Sequence, residues 1–238
     1  LNGMEIVSDY RTAKPLAFID TFWVSTWIPA AVSGVVARKF ARPDSRTVGF
    51  VATGAQARVH LPALRAVLPK LDRVIAYNRS RKGADAFAAE ARKDGWTVEI
   101  TEDPRVAAEA DVVVTSIPTS KDSRPFLDPA WVKPGAFVSL VDLGRAWLPG
   151  LDGFERVLTD EASQAKHEIS IGRFKLKGPF EADLRDLATG RLAPRRSDAE
   201  RAVLCHSGHS IGVMALAALV YRHAKEAGVG TWLPSNWR

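Results

Sequence analysis

The segment Val48-Gly49-Phe50-Val51-Ala52-Thr53-Gly54-Ala55-Gln56-Ala57-Arg58 decides how this chain is read. A short apolar strand, Thr47–Val51, is followed within three residues by a helical pattern over Ala55–Leu68. A helix that begins so abruptly turns its unpaired first N–H groups and the positive end of its dipole toward the connecting turn, which makes an anion site. The spacing of small residues matches the dinucleotide fingerprint Gly-x-Gly-x-x-Gly/Ala, with Ala52, Gly54 and Ala57 in the three positions. Gly54 lets backbone approach a pyrophosphate, and Ala57 still allows the helix to pack tightly on the strand. Ala52 departs from the pattern, and its methyl is expected to loosen or shift the turn. Thr53, Gly54, Ala55 and Gln56 are therefore the residues expected at a pyrophosphate; the alternative is an ordinary strand-to-helix turn without a ligand.

The second strand, Arg73–Tyr77, runs into Asn78-Arg79-Ser80-Arg81. An acidic residue there would accept hydrogen bonds from a ribose 2′-hydroxyl and repel a 2′-phosphate. Asn78, Arg79 and Ser80 offer donors and positive charge instead, which favours NADP(H) over NAD(H). The competing reading makes the arginines a solvated helix start. Further strands are expected at Thr97–Ile100, Asp111–Thr115, Ala136–Val141 and Arg156–Leu158, with a helix over Arg81–Asp94 between the second and third. Apolar strands alternating with helices predict a Rossmann-type doubly wound parallel sheet, covered on both faces. Thr115, Ser116 and Ile117 follow the fourth strand and fall at its carboxyl edge, against the cofactor.

Toward the termini the pattern changes. Met4–Ser8 and Pro15–Asp20 read as a β-hairpin that should join a sheet made elsewhere, since an isolated hairpin is marginal. A small-residue helix starts near Thr26 with Pro29 in its first turn and ends at Arg42-Pro43-Asp44. The section after Asp160 reads as helical, with Glu181–Thr189 and then Ser210–Ala227, closed by Gly228. Three parts are expected: residues 1–44 as a partial second lobe for substrate and dimerisation, 45–165 as the nucleotide domain, and 166–238 as a helical segment packing back on both.

Bulk properties narrow the classes. There are 33 basic and 27 acidic residues, and the cations are dispersed rather than gathered in a stripe or tail, which argues against nucleic acid as a partner. A single cysteine, Cys205, excludes an internal disulfide framework and suits a reducing compartment. No apolar run approaches the ~20 residues of a membrane span, and no secretory signal pattern is visible. A cytoplasmic protein is the expectation, with no membrane partner and no metal.

With these residues in hand, the chain resembles the ornithine cyclodeaminase/mu-crystallin family. The likeness rests on Pro15–Asp20, the small-residue helix Ala30–Arg38, Ala41-Arg42-Pro43-Asp44, the turn Gly54-Ala55-Gln56-Ala57-Arg58 and the closing helix from Leu219 to Gly230. It implies a nicotinamide-dinucleotide domain beside a dimerisation lobe, hence a homodimer, and hydride exchange with the α-carbon of an amino acid or imine. An NAD(P)-dependent oxidoreductase or cyclodeaminase is one implied function. The other is a non-catalytic NADP(H)- or small-ligand-binding protein of mu-crystallin type. Relatives carry a further N-terminal segment with a substrate arginine and lysine; this sequence starts after it. Another substrate arginine of the family falls on Ile28, and the family aspartate on Gly144, two residues after Asp142.

Asp142 remains the candidate for proton transfer, because it ends the apolar run Phe137–Val141 at the reacting edge; its alternative is to cap the Gly144 turn. Arg145 is placed to hold a substrate carboxylate in lieu of the missing arginines, or else lies solvated. In Cys205-His206-Ser207-Gly208-His209-Ser210, His206 or His209 is a candidate acid or base. His209 is assigned to substrate, and Ser207 and Gly208 to cofactor or helix capping. Cys205 reads as a small apolar residue, His60 and His223 as helix-face residues, and Trp23 and Trp27 as packing or dimer contacts.

Overall fold

The alternating residues at the start of the chain form β1 (Met4–Ser8) and β2 (Pro15–Asp20), an antiparallel pair with Ile6 opposite Phe18. The computed structural model describes residues 3–120 and 124–233. It divides into two compact units, Leu1–Ile28 with His209–Arg238, and Pro29–Gly208. The hairpin does not join a larger sheet as the sequence suggested. It forms a two-stranded sheet of its own, and within the smaller unit β1 packs against the C-terminal helix Ser210–Glu226. That helix supplies the apolar cover that added strands would otherwise provide.

Helix α1 spans Thr21–Phe40, starting five residues before the expected Thr26 and leaving Pro29 inside it. The signal passed over was Asp20, whose carboxylate accepts from the Phe22 N–H at 2.7 Å and caps the helix. Pro29 removes one helical hydrogen bond. The helix withstands this because Ala30, Val36, Ala37 and Phe40 are buried, and burial supplies most helical stability.

The larger unit then alternates as the sequence predicted. It runs β3 (Thr47–Val51), α2 (Ala55–Val67), β4 (Arg73–Tyr77), α3 (Arg81–Lys93), β5 (Thr97–Thr101), α4 (Pro104–Ala108), β6 (Val112–Thr115) and β7 (Phe137–Leu140). After these come β8 (Arg156–Thr159), α5 (Ala162–Ser170), α6 (Leu184–Ala188) and β9 (Ala202–Cys205), with α7 (Ser210–Glu226) in the smaller unit. The sheet has the order β5-β4-β3-β6-β7-β9-β8, parallel throughout. Strands β6, β7, β8 and β9 are buried at every position, as a sheet covered on both faces requires.

Residues after Asp160 are not simply helical. Ala202–Cys205 forms β9, inserted between β7 and β8, so the sheet draws on residues well beyond 165. Four apolar residues behind a charged loop carry too little periodicity to separate strand from buried helix.

Two neighbouring residues of β3 show how the sheet is covered. Phe50 meets Phe87 of α3 edge-on, with ring centroids 5.6 Å apart, while Gly49 faces the Ala107 carbonyl of α4. Consecutive side chains point to opposite faces of a strand, so α3 and α4 lie on opposite sides. A Cβ on Gly49 would stand 1.9 Å from that carbonyl oxygen. Gly49→Ala is therefore expected to destabilise the protein by about 3 kcal/mol, or roughly 6–12 °C in Tm, as read by thermal denaturation. An unchanged Tm would show that α4 does not press on β3.

Candidate functional site

Strand order reverses between β3 and β6, and in open α/β sheets ligands bind outside the carboxyl ends at such a point. There the chain leaves β3 and enters α2 through Ala52, Thr53 and Gly54. Ala52 keeps the turn rather than loosening it. Its φ is +78°, in the left-handed region that glycine would occupy without strain, and its N–H donates to the Tyr77 carbonyl at 3.0 Å. The expectation of a loosened or shifted turn is thus corrected: the methyl is accommodated at the cost of backbone strain.

Helix α2 begins after Gly54 with no side chain capping it. A Cβ on Gly54 would meet nothing within 4 Å. Beside the uncapped amides, Thr53 Oγ1 and Gln56 Oε1 are buried with no hydrogen-bond partner. Buried polar atoms are paired in all but a few cases, so this turn offers the free amides and the Thr53 hydroxyl as donors to a phosphate, and Gln56 Oε1 as an acceptor for a hydroxyl of the same ligand. Arg58 braces it from behind, donating to the Thr53 carbonyl at 2.7 Å and pairing with Glu90 at 2.6 Å.

Asn78, Arg79 and Ser80 divide into different roles. Asn78 spans the site from within: its Oδ1 accepts from the Thr53 N–H at 3.3 Å and its Nδ2 donates to the Ser80 carbonyl. Ser80 Oγ accepts from the Gly83 N–H and caps α3. Arg81 pairs with Asp85. Arg79 is exposed, with no ion pair among the described residues.

At the ends of β6 and β7, Asp142 is buried and faces inward. Its Oδ1 accepts from Thr115 Oγ1 at 2.9 Å and the Gly144 N–H at 3.1 Å, and its Oδ2 from the Ile117 N–H at 3.4 Å. Burial pushes its carboxyl up from the usual range, against the pull of Thr115 and the Arg145 charge. Leu143 and Gly144 both have positive φ, 60° and 77°, so Asp142 holds a strained turn together. This conformation gives the carboxylate no access for direct proton exchange. Arg145 donates through Nη2 to the Ile117 carbonyl at 3.2 Å, and its Nε is buried without a partner. Ser116 is tied by its N–H to the Val51 carbonyl.

Ser207 and Gly208 are gathered by the buried Asp160, which accepts from the Ser207 N–H at 2.7 Å, from Ser207 Oγ, and from the Gly208 N–H at 3.0 Å. His209 belongs to the smaller unit, where its Nδ1 accepts from the Gly212 N–H at 3.1 Å and caps α7. Ile28 lies in that unit too, with its Cδ1 3.5 Å from where a Cβ on Gly212 would stand. His223 is exposed beside Glu226.

Sequence reasoning missed a buried polar cluster under the turn. His60 lies on the buried face of α2: Ser33 Oγ, His60 Nε2, Ser139 Oγ and His206 Nε2 converge at 2.8–3.2 Å, and His60 Nδ1 lies 2.7 Å from the Gln56 carbonyl. Ser139 Oγ lies 2.9 Å from His206 Nε2, with Asp160 4.0 Å from His206 Nδ1, beyond hydrogen-bond reach. Ser139 is fully buried in the sheet, so no substrate reaches it.

Residues 3–228 match the ornithine cyclodeaminase/mu-crystallin family, and the chain belongs to it. It is 28% identical over 238 residues to alanine dehydrogenase of Archaeoglobus fulgidus, covering 96% of this chain and 72% of that protein. It is likewise 28% identical over 244 residues to Δ1-pyrroline-2-carboxylate reductase of Bacillus cereus, covering 97% and 73%. Among solved structures, an archaeal alanine dehydrogenase dimer with bound NAD superposes with a TM-score of 0.83 at 24% identity, over 98% of this chain and 74% of that one.

Two outcomes follow. Ala52→Gly is expected to relieve the left-handed strain and stabilise the protein by about 1 kcal/mol, some 2–4 °C in Tm; a lower Tm would contradict that assignment. Burial holds the His60 pKa down at about 3, despite the Gln56 carbonyl, against 6.5 for an exposed histidine. The unfolded state therefore takes up the proton first. The His60 contribution is complete above pH ~6.5 and lost as pH falls toward ~3, at about 1.4 kcal/mol per pH unit. Urea denaturation between pH 7.5 and 4.5 reads this slope, and a flat profile would show His60 to be solvated.

Proposed function

We propose that this protein is an NAD(P)H-dependent oxidoreductase acting on an amino acid or imine. The observation that carries the reading is the uncapped start of α2 at the strand-order reversal, with Thr53 Oγ1 and Gln56 Oε1 buried and unpaired beside it. The names of the two relatives, an amino-acid dehydrogenase and a cyclic-imine reductase, support the substrate class. Nicotinamide supplies the hydride acceptor or donor.

The chain's own residues then divide the work. The amides of Gly54, Ala55 and Gln56, with Thr53, hold the pyrophosphate. Arg79, exposed and without an ion pair among the described residues, receives the 2′-phosphate of NADP(H), while Asn78 and Ser80 shape the loop that presents it. Thr115, Ser116 and Ile117 wall the nicotinamide side, and Ser207 and Gly208, fixed by Asp160, line the same edge. Arg145, with an unused N–H, binds a substrate carboxylate. Asp142 acts by holding the Ile117 and Gly144 amides in place. Proton transfer from it, the role suggested by the sequence, requires that turn to open.

A homodimer accords with the exposed Met4, Ile6, Leu16 and Phe18, which share one face of the hairpin. A second reading, cofactor binding without turnover, is favoured by the apolar Ile28 and the inward-turned Asp142.

Titration of the purified chain with NADPH and NADH tests both readings, followed by a panel of cyclic imines and α-amino acids. Tighter binding of NADPH with oxidation on an imine supports the enzyme. Binding without turnover supports the second reading, and no binding of either dinucleotide overturns both. Arg79→Glu is expected to weaken NADPH at least tenfold and NADH by less than threefold. Equal effects on the two would remove Arg79 from 2′-phosphate recognition.

A further inference from the structure

The β3–β4 ladder continues past the end of both strands. Val51 lies opposite Tyr77 in the register, and one step on the Ala52 N–H donates to the Tyr77 carbonyl at 3.0 Å. The next step is taken by a side chain. Asn78 Oδ1 accepts from the Thr53 N–H at 3.3 Å, and Asn78 Nδ2 donates to the Ser80 carbonyl at 2.9 Å. A backbone N–H only donates and a carbonyl only accepts, so these two contacts fix which end of the carboxamide faces which loop. Asn78 thereby joins the turn before α2 to the loop that carries Arg79.

The room for this bridge comes from α3. A Cβ on Gly83 would stand 2.6 Å from Asn78 Nδ2 and 3.7 Å from its Cγ. Gly83 lies in the first turn of that helix, and its φ is outside the left-handed region, so backbone conformation does not call for glycine there. Within a helix glycine is less favourable than alanine. What the missing methyl provides is the seat of the Asn78 carboxamide.

We propose that Asn78 is a positioning residue for the dinucleotide, a strut that sets the spacing between the pyrophosphate turn and Arg79, with Gly83 supplying the space in which it sits. The inference rests on the cofactor reading above and goes beyond it, since Asn78 and Gly83 act through the two loops they join. A ligand that engages two sites at once gains from the second only when their spacing matches its own. Loss of the strut therefore weakens a ligand that spans both loops and spares one that meets Arg79 alone.

The test uses the full chain. Gly83→Ala displaces the carboxamide while leaving the residues of both loops unaltered. NADPH is expected to bind this variant about fivefold more weakly, and adenosine 2′-monophosphate, which lacks the pyrophosphate, to bind within about twofold of wild type. Alanine favours the helix and restricts the unfolded chain, so Tm should hold within ~2 °C; a Tm that falls in step with affinity overturns the positioning role. Asn78→Ala should show the same loss, and the double variant no more than about twofold beyond it, because both substitutions break one strut. Amide hydrogen exchange reads the strut directly. In either variant the Thr53 amide is expected to exchange at least about tenfold faster, while Ala84, whose N–H donates to the Ser80 carbonyl at 3.1 Å, keeps its rate. An unprotected Thr53 amide in the wild type overturns the strut, whatever the ligands do. NADPH affinity within about twofold of wild type in Gly83→Ala overturns the inference alone, as do an equal loss for both ligands and losses that multiply in the double variant. Wild-type protein that binds neither NADPH nor NADH overturns the cofactor reading and the inference together. Should Gly83→Ala not fold, Asn78→Ala is read against the same ligand and exchange outcomes.

Discussion

Three residues separate the end of β3 from the start of α2, and that brevity governs the larger unit. To reverse direction in so few residues the backbone must pass through the left-handed region at Ala52, where an L side chain is strained by roughly 1–2 kcal/mol. The turn keeps this geometry because it is pinned on several sides: Ala52 to Tyr77, Thr53 to Asn78, and Arg58 back to Thr53 and Gly54. With the turn fixed, the axis of α2 is fixed too. Its first amides then face the gap between β3 and β6, and His60, one turn into the helix, is driven into the core beside α1 and β7.

Putting two histidines and two serines into that core is costly unless every lone pair and proton is matched. The cluster meets this by close contacts at 2.8–3.2 Å drawn from four separate elements: α1 for Ser33, α2 for His60, β7 for Ser139 and the end of β9 for His206. An apolar cluster of the same volume would hold these elements together without specifying their register. The polar one ties it to hydrogen-bond lengths. The same logic governs Asp142 and Asp160, two buried carboxylates whose acceptors are occupied by backbone N–H groups of neighbouring loops rather than left toward solvent.

Much of this was legible in the sequence. The apolar runs of β3, β4, β6 and β7 and the spacing of Ala52, Gly54 and Ala57 led to a Rossmann-type sheet, and the motifs in order led to the family. What escaped detection was nonlocal. Nothing near His60 signals that it meets Ser33 and a histidine at position 206, since an isolated histidine in an amphipathic helix looks like any polar surface residue. Asp142 was legible as the end of a strand but not as turned inward, because orientation depends on the left-handed turn at Leu143 and Gly144, strained at Leu143. Asn78 and Ser80 read as free donors, yet their side chains are consumed by the local turn. Arg79 alone of the three kept its side chain free.

The position of β9 has a consequence for how the chain is made. Strand β8 touches the sheet only through β9, which lies more than forty residues later in the sequence. During synthesis at ~5–20 residues per second, β3 to β7 can assemble as a nucleotide-binding half while β8 waits as an orphan apolar strand. The far edge of β7 stays unpaired for the same interval. Closure is then a late, vectorial event, in which a four-residue strand is inserted between two others and carries His206 into place. The buried hydrogen-bond network is in this sense the last piece of the core to form, completed only after the ribosome has passed residue 206.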